Sequence, residues 1–388
     1  WVSIPDYDPN TFGLASSIEK NNLPVTYAYE PGSVFKIFSL SAEMEIGGIS
    51  PNSHFYCDGF YEHLFSQNET VRINCLGVHG DVSVQDIIKY SCNSGAAYAS
   101  DTVSKTDFYN KLNSFGFNSR TGLAFAGETV GILNKPEYWS GRSKPTIAIG
   151  QEISVSAVQM ITAATILTNQ GTLLEPHIID KIVSPEGKFI KDFKRERVRH
   201  VIKPEIANAM LLMMETATGP AGTARRAAID GLRISAKTGT AQKIDPTSGR
   251  YSANSFVAST LAIFPTDNPE LIVYVVIDTP KGDEFFGGRI VTPIIKELTE
   301  ELVRYLNIPM KSETVIEHSG IIKLAEPDKF LPGKKLPDLT GLSKREILPL
   351  IALPGISVTI DGEGWIVRQD PEPGTPISKG MTIHLELE

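Results

Sequence analysis

Helix-like spacing of apolar residues dominates the middle of the chain, and strand-like runs cluster near residues 233–278. One apolar run comprises Val34, Phe35, Ile37, Phe38, Leu40, Met44 and Ile46. It follows the turn signal Glu30-Pro31-Gly32 and stops at Gly47-Gly48, which predicts a buried helix with Ser33 at its N-terminus. An amphipathic segment at residues 82–90 leads into Ser91-Cys92-Asn93, and the small residues Gly95, Ala96, Ala97 and Ala99 after it suit another helix. The tripeptide is therefore expected at a tight corner between helices. Residues 233–242 read as a strand, followed by two clearer ones at 256–264 and 271–278 across Pro265-Thr266-Asp267-Asn268-Pro269.

Past residue 308 the pattern lapses. Residues 309–336, with Pro309, Pro327, Pro332 and several charges, read as a linker. Residues 337–388 regain order: an amphipathic helix with Ile347, Leu348, Leu350 and Ile351, broken by Pro349, then short strands near 357–360, 365–369 and 381–387. The expected organisation is a main domain over 1–308, a linker over 309–336 and a small module over 337–388.

Composition narrows this only a little. The 388 residues suffice for one large core plus the module. A formal net charge of -8 argues against a nucleic-acid partner. The basic run at 188–199 reads as a solvated strand face. No stretch approaches the ~20 apolar residues that a membrane-spanning helix needs.

Three short polar motifs occupy these predicted elements: Ser33-Val34-Phe35-Lys36, Ser91-Cys92-Asn93 and Lys237-Thr238-Gly239. Only Lys-Thr-Gly is unique, since Ser-x-x-Lys recurs at Ser17 to Lys20 and Ser-x-Asn recurs from Ser50, Ser66 and Ser252. Context selects among the copies. At a helix N-terminus, free N–H groups and the positive dipole end can stabilise a developing anion beside Ser33. Lys36, three residues on, lies on the same helix face within reach of that hydroxyl. Ser17 lies in a polar loop ahead of Pro24, and the other Ser-x-Asn copies read as turns. Gly239 inside a strand marks close approach by another backbone or a ligand. An extended peptide could borrow hydrogen bonds along that edge.

The trio, in this order, resembles the signature of penicillin-binding proteins and β-lactamases. The segment Tyr29-Glu30-Pro31-Gly32-Ser33-Val34-Phe35-Lys36 is similar to the nucleophile box of class B penicillin-binding proteins. So are His79-Gly80, Ile149-Gly150-Gln151, Gly222-Thr223-Ala224 and the segment at 236–242, and the resemblance covers roughly residues 1–308. Residues 337–388, with Gln369-Asp370-Pro371-Glu372-Pro373-Gly374-Thr375 and Gly380, look like a PASTA module. The resemblance implies an α/β fold of the α+β type: an antiparallel sheet flanked by helices, a helical subdomain, then one PASTA helix on three strands.

It also implies roles. Ser33 is the expected nucleophile and Lys36 its general base, with Lys237 as the second cation that lowers the Lys36 pKa. Ser91 would relay the proton to the leaving amine, and Asn93 would orient Lys36 and bond the donor peptide. The N–H groups of Ser33 and Thr240 would form the oxyanion hole. Lys237, Thr238 and Thr240, with Gly239 between, suit the terminal carboxylate of a stem peptide ending in D-Ala-D-Ala.

None of Glu128, Glu137, Glu152, Glu175, Glu186, Glu196, Glu205 and Glu215 has Asn four residues later, the pattern expected of a class A β-lactamase's hydrolytic Glu. That leaves D,D-transpeptidation as the expected activity, with a D,D-carboxypeptidase or a penicillin-binding sensor as alternatives. No cofactor and no metal are expected. The expected partners are peptidoglycan stem peptides, β-lactams and, in the full-length protein, division or elongation proteins. The expected location is the extracytoplasmic face of the bacterial cytoplasmic membrane. Residues 1–10 resemble the middle of the family's first transpeptidase strand, so the chain reads as a soluble piece of a longer, anchored protein. Cys57 and Cys75 flank one loop and are candidates for a disulfide or two free thiols; zinc, with His54, His63 or His79, ranks below both. Cys92 is expected to be a thiol or a bystander.

Overall fold

The computed structural model describes residues 1–66, 69–123, 125–194, 196–245, 247–310, 333–344 and 346–388. The chain divides into two units, Trp1–Glu313 and Thr314–Glu388.

In the first unit, helix α1 (Leu23–Thr26) precedes a 3₁₀ turn (Gly32–Phe35) that runs directly into α2 (Lys36–Ile46). Strands β1 (His54–Cys57), β2 (Phe60–Ser66), β3 (Glu69–Asn74) and β4 (Gly80–Ser83) follow, β1 pairing with β4 and β2 with β3, all antiparallel. Helices α3 (Val84–Tyr90), α4 (Asn93–Asp101), α5 (Lys105–Ser114), α6 (Ser143–Ala148) and α7 (Ala157–Thr168) come next. Two ribbons then interrupt the helices: β5 (Thr172–Leu174) pairs with β8 (Arg197–His200), enclosing β6 (Lys181–Val183) paired with β7 (Phe189–Asp192). After α8 (Pro204–Glu215), strands β9 (Ser235–Ile244), β10 (Tyr251–Phe264) and β11 (Leu271–Asp278) form an antiparallel sheet in the order β11-β10-β9, and α9 (Gly287–Ile290) and α10 (Thr292–Leu306) close the unit.

Helix α2 is the central post. Every residue from Lys36 to Met44 is buried, the condition for a helix enclosed on all sides. Its two serines are bonded within the core: Ser39 donates to the Ala148 carbonyl at 2.8 Å, and Ser41 to the Ile37 carbonyl at 2.6 Å. Gly47, at φ 90°, supplies the left-handed cap that ends it. Strand β10 separates two cores. Period-two alternation sends Leu261 and Ile263 into the helical core around α2, while Ala258, Ala262 and Phe264 enter a second core with Val291, Ile295 and Val303 from the α10 side.

Several expectations need correcting here. Residues 1–15 form no strand; exposed coil and a 3₁₀ turn at Pro9–Leu14 occur instead, because Pro5 and Pro9 interrupt any pairing pattern. The amphipathic stretch from 82 begins as strand, with Ser83 as the cap of α3: its hydroxyl accepts from Asp86 N–H while Asp86 bonds back. Between the first and third motifs the helices α3 to α8 share the chain with the short strands β1 to β8. Both strands of the basic segment, β7 and β8, are exposed along their length. Among the described residues no helix is long and apolar enough to cross a membrane.

The second unit holds α11 (Leu348–Ile351), β12 (Ile356–Gly362), β13 (Ile366–Asp370) and β14 (Met381–Leu387). Central β14 runs parallel to β12 and antiparallel to β13. Its core gathers Leu336, Leu339, Ile347, Leu350, Ile366, Ile383 and Leu385. Pro349 does not break the helix; it lies in the first turn of a one-turn helix, where a missing N–H costs nothing. Most of the expected linker, 311–332, lies outside the described residues.

Candidate active site

The turn carrying Ser33 is clamped by backbone. Gly32, at φ +55°, donates its N–H to the Gly150 carbonyl at 2.9 Å. A Cβ on Gly150 would stand 2.0 Å from the Gly32 carbonyl oxygen, so only glycine permits this approach. Ser33 stays half-buried at a cavity floor while Val34 and Phe35 sink into the core.

Lys36 opens α2 with its side chain fully buried. Its Nζ lies 2.7 Å from the Ser91 carbonyl oxygen, 2.7 Å from Asn93 Oδ1 and 3.1 Å from Ser33 Oγ. The first two are obligate acceptors. A neutral amine would give them its two hydrogens, leaving the lone pair for the Ser33 hydroxyl. Burial lowers the Lys36 pKa to about 8, with Cys92 and Cys75 acting the other way.

Ser91 ends α3 in the left-handed region, φ 60°, and Asn93 starts α4 two residues later. This is the corner expected from sequence, and it brings hydroxyl and amide together. Lys237, fully buried on β9, donates to Ser91 Oγ at 2.9 Å and to the Thr238 carbonyl at 2.8 Å. Burial first, then the neighbouring charge of Lys36, hold its pKa well below the usual lysine range. Ser91 Oγ also lies 3.4 Å from Lys36 Nζ, so one hydroxyl bridges two amines.

Strand β9 is the sheet edge, and Thr238, Gly239 and Thr240 line the cavity from it. Thr240 Oγ1 accepts the Gly287 N–H at 3.1 Å. A Cβ on Gly239 would meet Val34 Cγ2 at 2.7 Å and the Pro31 carbonyl at 2.8 Å, so this glycine seats the strand against the serine turn. All eight expected site residues thus meet at or just beneath one cavity of about 670 Å³. The competing copies do not join it: Ser17 is exposed, Ser50 bonds Ser53, and Ser252 bonds Asn254 and Ser255 N–H groups. Asn68 of the remaining copy lies outside the described residues.

Sequence reasoning missed two parts of the wall. Phe256, Phe285 and Phe286 form an aromatic side, with Phe256 stacked on Phe285 at 4.0 Å between centroids. The only available signal was Phe285-Phe286-Gly287-Gly288, an aromatic pair ahead of glycines with no periodicity. Arg72, Arg142, Arg225, Arg226 and Arg289 also line the cavity, which among its described lining residues has no Asp or Glu. An acidic chain therefore carries a basic pocket.

The cysteine expectations change as well. All three thiols are free, so no Cys57–Cys75 disulfide is formed. His54 and His63 turn to Asp81 and Asp101, at 2.9 and 3.2 Å. Cys92 is a thiol, as expected, and its Sγ lies 3.8 Å from Cys75 Sγ.

A serine beside two buried amines, floored by a central helix and walled by an antiparallel sheet edge, defines the penicillin-recognising serine class. The chain belongs to its transpeptidase family: the description "Penicillin binding protein transpeptidase domain" matches residues 1–300, and "PASTA domain" matches 334–388. Among relatives, Stage V sporulation protein D of Bacillus subtilis is 31% identical over 99% of this chain and 58% of its own length. Probable peptidoglycan D,D-transpeptidase PenA of Neisseria flavescens is 30% identical over 79% of this chain and 72% of its own. The chain therefore spans little more than half of the sporulation relative. Among solved structures, penicillin-binding protein 3 of Mycobacterium tuberculosis complexed with ampicillin superposes with a TM-score of 0.69 at 25% identity, over 78% of this chain and 68% of that one.

Proposed function

We propose that this chain carries the catalytic unit of a peptidoglycan D,D-transpeptidase that works through an acyl-enzyme on Ser33 and is acylated by β-lactams at the same hydroxyl. The carrying observation is the Lys36 amine, whose two obligate acceptors leave a lone pair for Ser33. In the first step Ser33 Oγ attacks the D-Ala-D-Ala carbonyl carbon and its proton passes to Lys36. Backbone N–H groups of Ser33 and Thr240 hold the oxyanion. The C–N bond then breaks, and Ser91, bridging both lysines, hands a proton to the departing D-Ala amine. In the second step an acceptor amine attacks the ester and gives up its proton to Lys36, the C–O bond to Ser33 breaks, and that proton returns to Ser33 Oγ as the crosslink is released.

The pocket supports this order. Five arginines with Lys237, Thr238 and Thr240 suit a donor ending in a carboxylate. With no carboxylate among its described lining residues, the cavity offers no Asp or Glu to activate a deacylating water. The acyl-enzyme should therefore wait for an amine. This reading puts the work on the extracytoplasmic face of the cytoplasmic membrane, with division or elongation proteins as partners.

Intact-protein mass spectrometry with excess benzylpenicillin tests the reading on wild type and Ser33→Ala, paired with turnover on a D-Ala-D-Ala donor and an amine acceptor. A stable single adduct on wild type only, with crosslinked product, is expected. A stable adduct without turnover would favour a sensor. Rapid loss of the adduct would favour a carboxypeptidase or β-lactamase, and no adduct at all would sink the acyl-enzyme.

A further inference from the structure

Three cysteines and a histidine from four separate segments converge beside the Ser91–Asn93 corner. Cys57 ends β1, Cys75 follows β3, His79 precedes β4, and Cys92 caps α4. Strand pairing brings them together. Cys57 faces Gly80 across the β1–β4 ladder, and the His79 N–H donates to the Cys57 carbonyl at 3.2 Å. The Cys75 N–H donates to the Gly59 carbonyl at 2.8 Å. The four ligand atoms all lie within 4.8 Å of one another.

Three of their six separations match the edges of a metal tetrahedron, and the other three stay within 4.8 Å. Cys75 Sγ and Cys92 Sγ stand 3.8 Å apart, while His79 Nδ1 is 3.5 Å from Cys57 Sγ and 3.6 Å from Cys75 Sγ. A zinc ion with Zn–S about 2.3 Å and Zn–N about 2.0–2.1 Å has tetrahedral edges of about 3.8 Å between sulfurs and about 3.6 Å from sulfur to nitrogen. The surroundings suit thiolates too. Asn93 N–H donates to Cys75 Sγ and Gly95 N–H to Cys92 Sγ, each at 3.3 Å. The His79 ring is held by a parallel stack on Tyr90, 5.7 Å between centroids and 7° between planes. Cys57 and Cys92 are buried, and Cys75 and His79 are partly so.

We infer that Cys57, Cys75, His79 and Cys92 form a closed Cys₃His zinc site that positions Ser91 and Asn93. Three thiolates and an imidazole select zinc over hard cations, and four protein ligands leave no open coordination position for substrate. Binding releases the thiol protons to solvent. Cys92 is bonded directly to Ser91 and Asn93, and Cys75 accepts the Asn93 N–H. The metal therefore ties the corner that faces Lys36 to the β1–β4 and β2–β3 pairs. Metal binding stands apart from the acyl-transfer reading, whereas its effect on acylation rests on that reading.

The full chain, purified under reducing conditions without chelator, should carry about one zinc per molecule by plasma mass spectrometry. Cobalt in its place should show the visible bands of a tetrahedral thiolate complex. Cys57→Ser and His79→Ala should lose the metal, His79→Cys should keep it, and the metal-free forms should acylate at Ser33 roughly 10-fold or more slowly. If those variants misfold, wild type still decides: its thiols should alkylate slowly until a chelator is added, then rapidly. A chain that stays metal-free when offered zinc under reducing conditions overturns the site. So does a peptide map in which a Cys57–Cys75 disulfide takes the metal's place. Bound zinc with undiminished acylation after its removal upholds the site and overturns the positioning role. Failure of the zinc-loaded wild type to acylate sinks the acyl-enzyme reading, while the metal content still decides the site.

Discussion

The amine of Lys36 stands 2.7 Å from Asn93 Oδ1, and Asn93 is itself held by a 3.1 Å hydrogen bond from Nδ2 to the Asn74 carbonyl. That second bond fixes the amide so that oxygen, not nitrogen, faces the lysine. With the Lys36 pKa lowered to about 8 by burial, the neutral amine becomes abundant only as pH rises through that value. The acylation rate with a chromogenic β-lactam should therefore climb between about pH 7 and pH 9 and then level off. Asn93→Asp places a negative charge beside Lys36, favours its ammonium form and should move the climb to higher pH. An unmoved profile would remove Lys36 from the role of base.

Ser91 joins Lys237 at 2.9 Å to Lys36 at 3.4 Å while holding a left-handed backbone. Chemistry and conformation separate by substitution. Ser91→Ala and Ser91→Gly should both slow acylation by about 10²-fold or more, because both remove the relay hydroxyl. The glycine variant should be the more stable by about 1 kcal/mol, since glycine accepts φ 60° without strain. Rapid acylation by either variant would mean that the proton travels directly between the lysines and the peptide.

Gly239→Ala should couple stability to reactivity. Its new Cβ would sit 2.7 Å from Val34 Cγ2 and 2.8 Å from both the Pro31 carbonyl and Ser259 Oγ. One flanking atom is backbone of the turn before Ser33, so relief must shift either β9 or that turn. Overpacking of this kind costs about 1–3 kcal/mol. A lower melting temperature together with slower benzylpenicillin acylation is expected; an unchanged acylation rate would show that the strand yields without disturbing the serine.

What the sequence disclosed follows from how local each feature is. Helix α2 was legible because its apolar residues, its entry turn and its terminal glycines all lie within one stretch, and Ser33 and Lys36 share it. Strands β9 to β11 were legible through apolar runs and the Pro-rich break after β10. The Ser91–Lys237 contact joins positions 146 apart, and only resemblance, not periodicity, put those residues in one pocket. The Cys57–His79 contact depends on the β1–β4 register, which short strands with exposed faces do not advertise. Hence the cysteines were weighed by nearness in sequence, as a loop disulfide or two free thiols, with zinc ranked below both. The Phe285–Phe286 wall had no period at all, being loop that packs on Phe256.

Glu43 is fully buried in the middle of α2, and neither carboxylate oxygen has a hydrogen-bond partner among the described residues. Burial pushes its pKa well above the usual carboxylate range, the charge of Lys144 opposes this, and Asp101 adds to it. Burial therefore favours the proton-bearing carboxyl in the fold over the ionised form that the unfolded chain adopts above about 4.5. A raised folded-state pKa contributes stability that is complete below the unfolded value, near 4.5, and is lost as pH rises toward the folded one. Glu43→Gln has no such titration. Wild type should lose stability relative to this variant as pH rises above about 4.5, at up to about 1.4 kcal/mol per pH unit until the folded-state carboxyl itself ionises. Thermal melts of both proteins across that range measure the difference directly. Parallel curves would mean that Glu43 stays ionised in the fold, paired to Lys144 more tightly than the absence of a hydrogen bond implies.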